Sequence, residues 1–497
     1  MAQLRRIPAV AAREARLMAY SSGNFGKALV FSGADMTILF LLTDLLGLSG
    51  AAAASLLLVA MAGDLVFDLV AAVLVIRLRR SGRGYRWLVA TGAVPCGLAF
   101  AMLYALPFSN LRAGWGPVAA MLVFRGAYAV IDVPHNALMA QMTRDSRVRA
   151  RVSGYRLLFS TASSLCLALV LAPLVQHAAR NRAFATLALA GAGAGVLFVA
   201  TMGLCAATSG RGGERERQDA ARDGLRVPLR DPLVLGMGLL ALVTGFAMPM
   251  FGRTILFVAT YVVERPDMVS GLMLALTGGQ FAGVLCWTML TGRADPARVL
   301  ALGHGVCAAG LVLFAALLGR PDMLPMSAAV IGFGLAAVLM LPWSLLANAV
   351  DFVALRYGRR LETGLFAFYL VAVKASGAAA TALTGWLLGS LGYAPGAAQS
   401  PPVQAGMLAL GLGLPLAGSL CAMALLARFG IGHARHARVR AALDRRFQSG
   451  AEPVSGLNRG LAKSMGDGST TAGGVALSAQ ARQSMSRNIA APAAVRS

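Results

Sequence analysis

Apolar residues gather along this chain into long runs separated by short polar stretches. About twelve such runs can be marked, at roughly 24–46, 50–77, 87–107, 117–141, 154–176, 183–207, 234–262, 268–291, 298–318, 324–350, 363–391 and 404–429. A helix crosses a bilayer with about 20 apolar residues, and each run suffices. The pattern predicts an all-α membrane protein with twelve transmembrane helices. The stretch SGRGGERERQDAARDGLRVPLRDP, residues 209–232, is charged and holds no long apolar run. It reads as a linker that divides the spans six plus six. The expected domains are a first six-helix bundle over 1–207, a linker over 208–232, a second bundle over 233–430 and a tail over 431–497. Two such halves with a site between them near the midplane are the layout of a secondary transporter. The tail begins HARHARVRAALDRRF and then turns rich in Ser, Gly and Ala. That composition predicts a short amphipathic helix on the membrane surface, then disorder.

Composition agrees. Of 497 residues, 57% are hydrophobic and only 13% charged, with a mean hydropathy of +0.68, which excludes an ordinary soluble domain. A net charge of +24 would suit nucleic acid, but the basic residues sit in short loops between apolar runs. The loops RLRRSGRGYR, TRDSRVRARVSGYR, TGRADPAR and RYGRR fall on one side. The other side carries few, among them Arg112, Arg180, Arg182, Arg265 and Arg320. Charge asymmetry of this kind sets membrane orientation. It predicts an inner (plasma) membrane protein with its basic loops and both termini in the cytoplasm. The expected partners are the bilayer and a small-molecule solute, with no nucleic acid, and the chain is expected to act as a monomer. The six cysteines show no paired spacing, so neither a disulfide framework nor a zinc site is indicated. The first segment is polar and Arg-bearing and carries no signal-peptide pattern.

The informative residues are polar ones inside the apolar runs. Asp64 and Asp68, in AGDLVFDLVAA, lie one turn apart on one helix face. A carboxylate in hydrocarbon costs at least about 2.5–3.5 kcal/mol, so two on one face must point to a polar interior. The chain has only three lysines, and one, Lys374 in FAFYLVAVKASGAAA, sits well inside the eleventh run. A buried Lys seeks an acidic partner and, unlike Arg, can give up its proton. Lys374 facing both aspartates would leave a site of net charge near −1, which a cation or proton would neutralise. A permanent structural ion pair is the plainer alternative. In FRGAYAVIDVPHNALMAQMT, Tyr128, Asp132, His135 and Asn136 share a face of the fourth span. That is a hydrogen-bonding stripe fit for a polar solute, and Arg156 beyond it is placed to pair with Asp132. Asp35, Asp44 and Arg125 add further charge to the first and fourth spans.

Taken together, these stretches resemble the glycoside–pentoside–hexuronide:cation symporters, a branch of the major facilitator transporters typified by the bacterial melibiose carrier. NFGKALVFSGADMTILFLLTDLLGLS is similar to the family's first helix, and Asp64 and Asp68 fall on its paired cation-binding aspartates. YAVIDVPHNAL and TRDSRVRARVSGYR match its fourth helix and following loop, with Asp132 and Arg156 on sugar-contacting positions. LPWSLLANAVDFVALRYGRRLETGLF resembles its tenth-helix signature, with Trp343 and Asp351, and Lys374 falls on its eleventh-helix lysine. The resemblance implies the major facilitator fold and symport of a sugar, glycoside or uronate, coupled to H+ or Na+ at Asp64, Asp68 and Lys374. The resemblance implies Asp132 and Arg156 as solute ligands and sets Trp343 in the tenth-helix signature; with the stripe residues Tyr128, His135 and Asn136, and with Asp35, these are the expected solute-binding residues. No cofactor is implied, and the only metal would be a sodium ion at Asp64 and Asp68.

The departures are specific. Ala28 replaces a sugar-binding aspartate and Asn136 an aromatic platform, while Phe67 and Ala129 stand where relatives place oxygen ligands for the cation. The first two weaken the case for a galactoside, and the last two favour protons over sodium. A carrier of lysophospholipids or another non-sugar solute is the alternative within the family. A transport-inactive sensor or scaffold is less consistent with intramembrane charge, which a scaffold does not require. GDLVFDL superficially resembles the DxxxD of membrane phosphotransferases, but no second such motif occurs and Lys374 would have no role, so an enzyme is not expected.

Overall fold

The computed structural model describes residues 2–40, 42, 50–108, 115–143, 145–171, 174, 183–209, 224–393 and 398–449. Among these, every regular element is helical. The helices are α1 (Ala2–Ser21), α2 (Gly23–Phe40), α3 (Gly50–Arg80), α4 (Tyr85–Ala105), α5 (Gly116–Met142), α6 (Ser146–Leu171) and α7 (Phe184–Thr208). After the linker come α8 (Pro232–Val262), α9 (Val269–Leu290), α10 (Pro296–Ala316), α11 (Leu324–Tyr357), α12 (Glu362–Ser390), α13 (Pro401–Ala427) and α14 (His433–Ser449). The ten helices α4 to α13 are long and apolar enough to cross a membrane. Adding α2 and α3, which carry Lys27, Asp35, Asp64 and Asp68, gives the twelve expected. Asp44, most of the linker and the chain beyond 449 lie outside the described residues.

Lipid tails are as apolar as Leu, so close packing and internal hydrogen bonds hold such helices together rather than hydrophobic transfer. Phe100, Phe124 and Phe198 centre a core made wholly of the first half. A larger core runs from Tyr20 and Tyr85 in the first half to Phe314 and Leu345 in the second. The two halves meet where α6 packs against α9 and α11, and α3 against α12. At the α6–α9 crossing a Cβ on Gly154 would fall 1.9 Å from Thr288 Oγ1, so only glycine permits this approach.

The halves also close through ions at the end of the molecule that carries the basic loops. Arg149 on α6 donates to Asp351 Oδ2 (2.8 Å), Asn348 Oδ1 (3.1 Å) and the Ala347 carbonyl (2.9 Å), all on α11. Both Arg149 and Asp351 are fully buried. Tyr85 and Thr363 share a hydroxyl hydrogen bond of 2.7 Å, and Gln141 donates to Glu362 at 2.7 Å.

Two features lie beyond the sequence reading. The polar N-terminal segment forms α1, which packs against α6 and α7. Arg151 pairs with Glu14 at 2.8 Å, and Tyr20 donates to the His135 carbonyl at 3.2 Å. The second is α14, expected on the membrane surface. It docks on the protein, where His436 and Arg440 reach Asp351 at 3.0 and 2.8 Å and Ser146 bonds His433. Burial holds the His436 imidazole below its usual range.

Candidate functional site

A cavity of about 270 Å³ lies among α2, α5, α6, α11 and α12. The first half supplies its polar wall: Asn24, Lys27, Tyr128, Asp132, Asn136, Ser153, Arg156 and Ser160. The second half supplies Leu339, Trp343 and Leu370. Phe31 and Tyr128, with ring centroids 4.8 Å apart, add an aromatic side.

Six of these eight polar-wall residues form one connected chain of hydrogen bonds. Lys27 pairs with Asp132 and donates to Asn136 Oδ1 at 3.5 Å. Asn136 Nδ2 donates to Asp132 Oδ1 at 2.8 Å. Arg156 bonds Asn136 through Nη2, donates to Asn24 Oδ1 at 2.7 Å, and lies 5.6 Å from the Trp343 ring centroid. Asn24 in turn donates to Ser160 at 3.2 Å. The α5 residues Tyr128, Asp132 and Asn136 enter together because they are spaced four apart on one helix.

Beyond Phe31 lies a second charged group. Lys374 on α12 donates to Asp68 Oδ1 at 3.0 Å, with Oδ2 at 2.8 Å, so this pair joins the two halves. Its Nζ is 5.7 Å from the Phe31 ring centroid. Both oxygens of Asp68 lie within ion-pair distance of the Lys374 ammonium. Asp64 turns to Arg125, which donates to it at 3.0 Å and also pairs with Asp35.

Several expected contacts are rearranged. Asp132 pairs with Lys27, one helix away, and not with Arg156, which reaches it only through Asn136. Lys374 holds Asp68 alone, because Arg125 lies within reach of Asp64. Asp64, Asp68 and Lys374 stand outside the cavity wall. So does Asp35, drawn to Arg125. His135 leaves the α5 stripe: it is fully buried and stacks on Tyr20 with centroids 5.9 Å apart. An i+3 neighbour is offset by about 60° round the helix, enough to turn it from a narrow cavity. Lys27 was missed as a site residue, although a Lys just inside the first span was a signal.

Comparison with known proteins places this geometry. A family model described as "MFS/sugar transport protein" matches residues 19–433. An Escherichia coli protein called inner membrane symporter YicJ is 24% identical, over 75% of this chain and 82% of its own. An E. coli "glucuronide carrier protein homolog" is 23% identical, over 79% and 87%. The mouse sphingosine-1-phosphate transporter MFSD2B is 26% identical, over 67% and 72%. Among solved structures, a bacterial homologue of the iron transporter ferroportin superposes with a TM-score of 0.60 at 12% identity, over 83% of this chain and 98% of that one. The transporter FucP superposes with a TM-score of 0.56 at 13%, over 82% and 98%.

Proposed function

The chain belongs to the MFS/sugar transport protein family, and from that premise we propose that it is a proton-coupled symporter of a sugar, glycoside or uronate. The observation that carries the reading is the polar cavity and the inter-half pair Asp68–Lys374 on two sides of one ring, Phe31. The cavity is at the small end of ligand pockets, about 300–1,000 Å³, and suits a compact solute. Aromatic rings take the apolar face of a sugar, while Asp132, Asn136 and Arg156 take its hydroxyls. Lys27 and Asn136 both donate to Asp132 Oδ1, which leaves Oδ2 for the solute. Lys27 and Arg156 add positive charge for a uronate carboxylate.

Coupling works through Asp68. Lys374 lies 3.0 and 2.8 Å from its two oxygens, and a carboxylate so held by a single cation can exchange that partner for a proton. Protonation removes the charge that holds Lys374, so α3 and α12 part and the two bundles, 1–207 and 233–430, rock about the cavity. The basic-loop end, closed by Arg149 and Asp351, faces the cytoplasm on this reading, with both termini. Sodium wants several oxygen ligands, and Phe67 and Ala129 offer none.

Uptake into proteoliposomes tests both parts. Accumulation should follow an imposed pH gradient; accumulation that follows sodium and ignores pH overturns proton coupling. Asp132→Asn should weaken solute affinity about 10–100-fold, the worth of a hydrogen bond to a charged group. Wild-type affinity in that variant removes Asp132 from the solute site. A lipid solute is the second reading, from the MFSD2B likeness; the small cavity with a charged, hydrogen-bonding wall on the first half favours the sugar.

A further inference from the structure

Away from the helix ends, α2, α3, α5, α6 and α12 carry four carboxylates, Asp35, Asp64, Asp68 and Asp132, and four cations, Lys27, Arg125, Arg156 and Lys374. Each carboxylate already holds a cation of the chain. Asp132 holds Lys27, Asp68 holds Lys374, and Asp64 and Asp35 share Arg125. Arg125 is buried and clamped. Nη1 donates to Asp64 at 3.0 Å, Nη2 bonds Asp35, and the guanidinium carbon lies 4.8 Å from the Phe31 ring centroid. The backbone is shaped for this contact. A Cβ on Gly63 would come within 2.8 Å of Leu122, so α5 lies close against α3 beside Asp64.

Resting on the carrier reading above, we propose that Arg125 is a tethered cation that occupies Asp64 in place of a free sodium ion and frees the carrier from sodium at that carboxylate. A sodium ion arriving there meets a competitor joined to the same chain. Tethering gives such a competitor an effective concentration set by geometry, commonly in the millimolar range or above. The guanidinium also meets two carboxylates at once with a planar fork, which a monovalent ion of one charge centre cannot match. Phe67 and Ala129, buried or half-buried in apolar packing, add no oxygen to offset this. The set is then electrically balanced without any bound ion.

The test is a thermal-shift titration of the purified protein with sodium chloride against choline chloride at constant ionic strength. Wild type should show no saturable sodium response. Arg125→Ala frees Asp64 and should acquire one, with a sodium dissociation constant about tenfold or more below any in wild type. Adding Asp64→Asn to that variant should abolish the response, and Arg125→Lys, which keeps the charge, should stay silent. Saturable sodium stabilisation of wild type that is lost in Asp64→Asn overturns the proposal. So does a folded Arg125→Ala that ignores sodium. A variant that survives purification in sodium but not in choline supports it. If Arg125→Ala folds in neither salt, Arg125→Gln is read by the same criteria, and the wild-type titration decides independently of both. These are binding readouts, so a chain that carries no sugar would overturn the carrier reading and leave them intact.

Discussion

Of the ion pairs that join the halves of this molecule among the described residues, two are built in contrasting ways. At the basic-loop end Arg149 meets Asp351, and each has further partners. Arg149 also donates to Asn348 and to the carbonyls of Ala347 and Ala140, while Asp351 also receives His436 and Arg440. Beside the cavity, Lys374 meets Asp68, which among the described residues shows no second ion-pair partner. The first pair uses a cation that cannot lose its proton in a protein. The second uses one that can, opposite a carboxylate with a single cation partner. A saturated Arg network fixes a geometry; under the coupling proposed above, one proton releases the Lys pair. On that proposal the difference separates a lock from a switch.

The strongest way to break this contrast is Asp351→Asn. It strands Arg149 and Arg440 without their shared charge. Loss of one partner from a buried ion pair costs about 3–5 kcal/mol. Expected is a large fall in Tm in detergent, together with new labelling of a cysteine placed at Ser146. Next comes Asp68→Asn. It should cut gradient-driven accumulation by about tenfold or more, in the range of ordinary coupling energies. Solute exchange without a gradient should persist, and Tm should fall less than for Asp351→Asn, because Lys374 is 19% exposed and can hydrate. Equal losses of stability in the two variants would erase the distinction.

The smallest effect is that of pH on the lock. The folded state holds His436 below its usual pKa. Its neutral form is therefore favoured by folding, and its contribution is full above the unfolded value, about 6.5. It declines as pH falls from there through the folded pKa, by at most about 1.4 kcal/mol per pH unit for one group. Stability measured from pH 7.5 to 5 should fall less steeply in His436→Gln than in wild type.

The sequence made some of this plain and hid the rest for a physical reason. Charge inside an apolar run is costly, so Asp64, Asp68, Asp132 and Lys374 stood out at once, and the structure brings all four into inter-helix pairs. Partner choice was not legible. It depends on which helices are neighbours at a given height, and a linear pattern carries no such information. Thus Lys27 reached Asp132 before Arg156 could, and Arg125, noted only as extra charge, became the partner of Asp64. The helix of the basic tail was legible as well, but its docking was not. A run of Arg and His reads alike whether it meets lipid headgroups or a buried aspartate such as Asp351.

The lopsided wall of the cavity has a thermodynamic consequence. Nearly every polar group that can grip the solute belongs to the first half, while the second offers Leu339, Trp343 and Leu370. A ligand shifts a conformational equilibrium only by its difference in affinity for the two states. A passenger fastened to one half alone travels with that half and barely favours either orientation. Its binding therefore sets little bias between loading and unloading, and the direction of net flow is left to the electrostatics between the halves. Such a carrier should swap solute for solute readily and spend its driving force on the empty return.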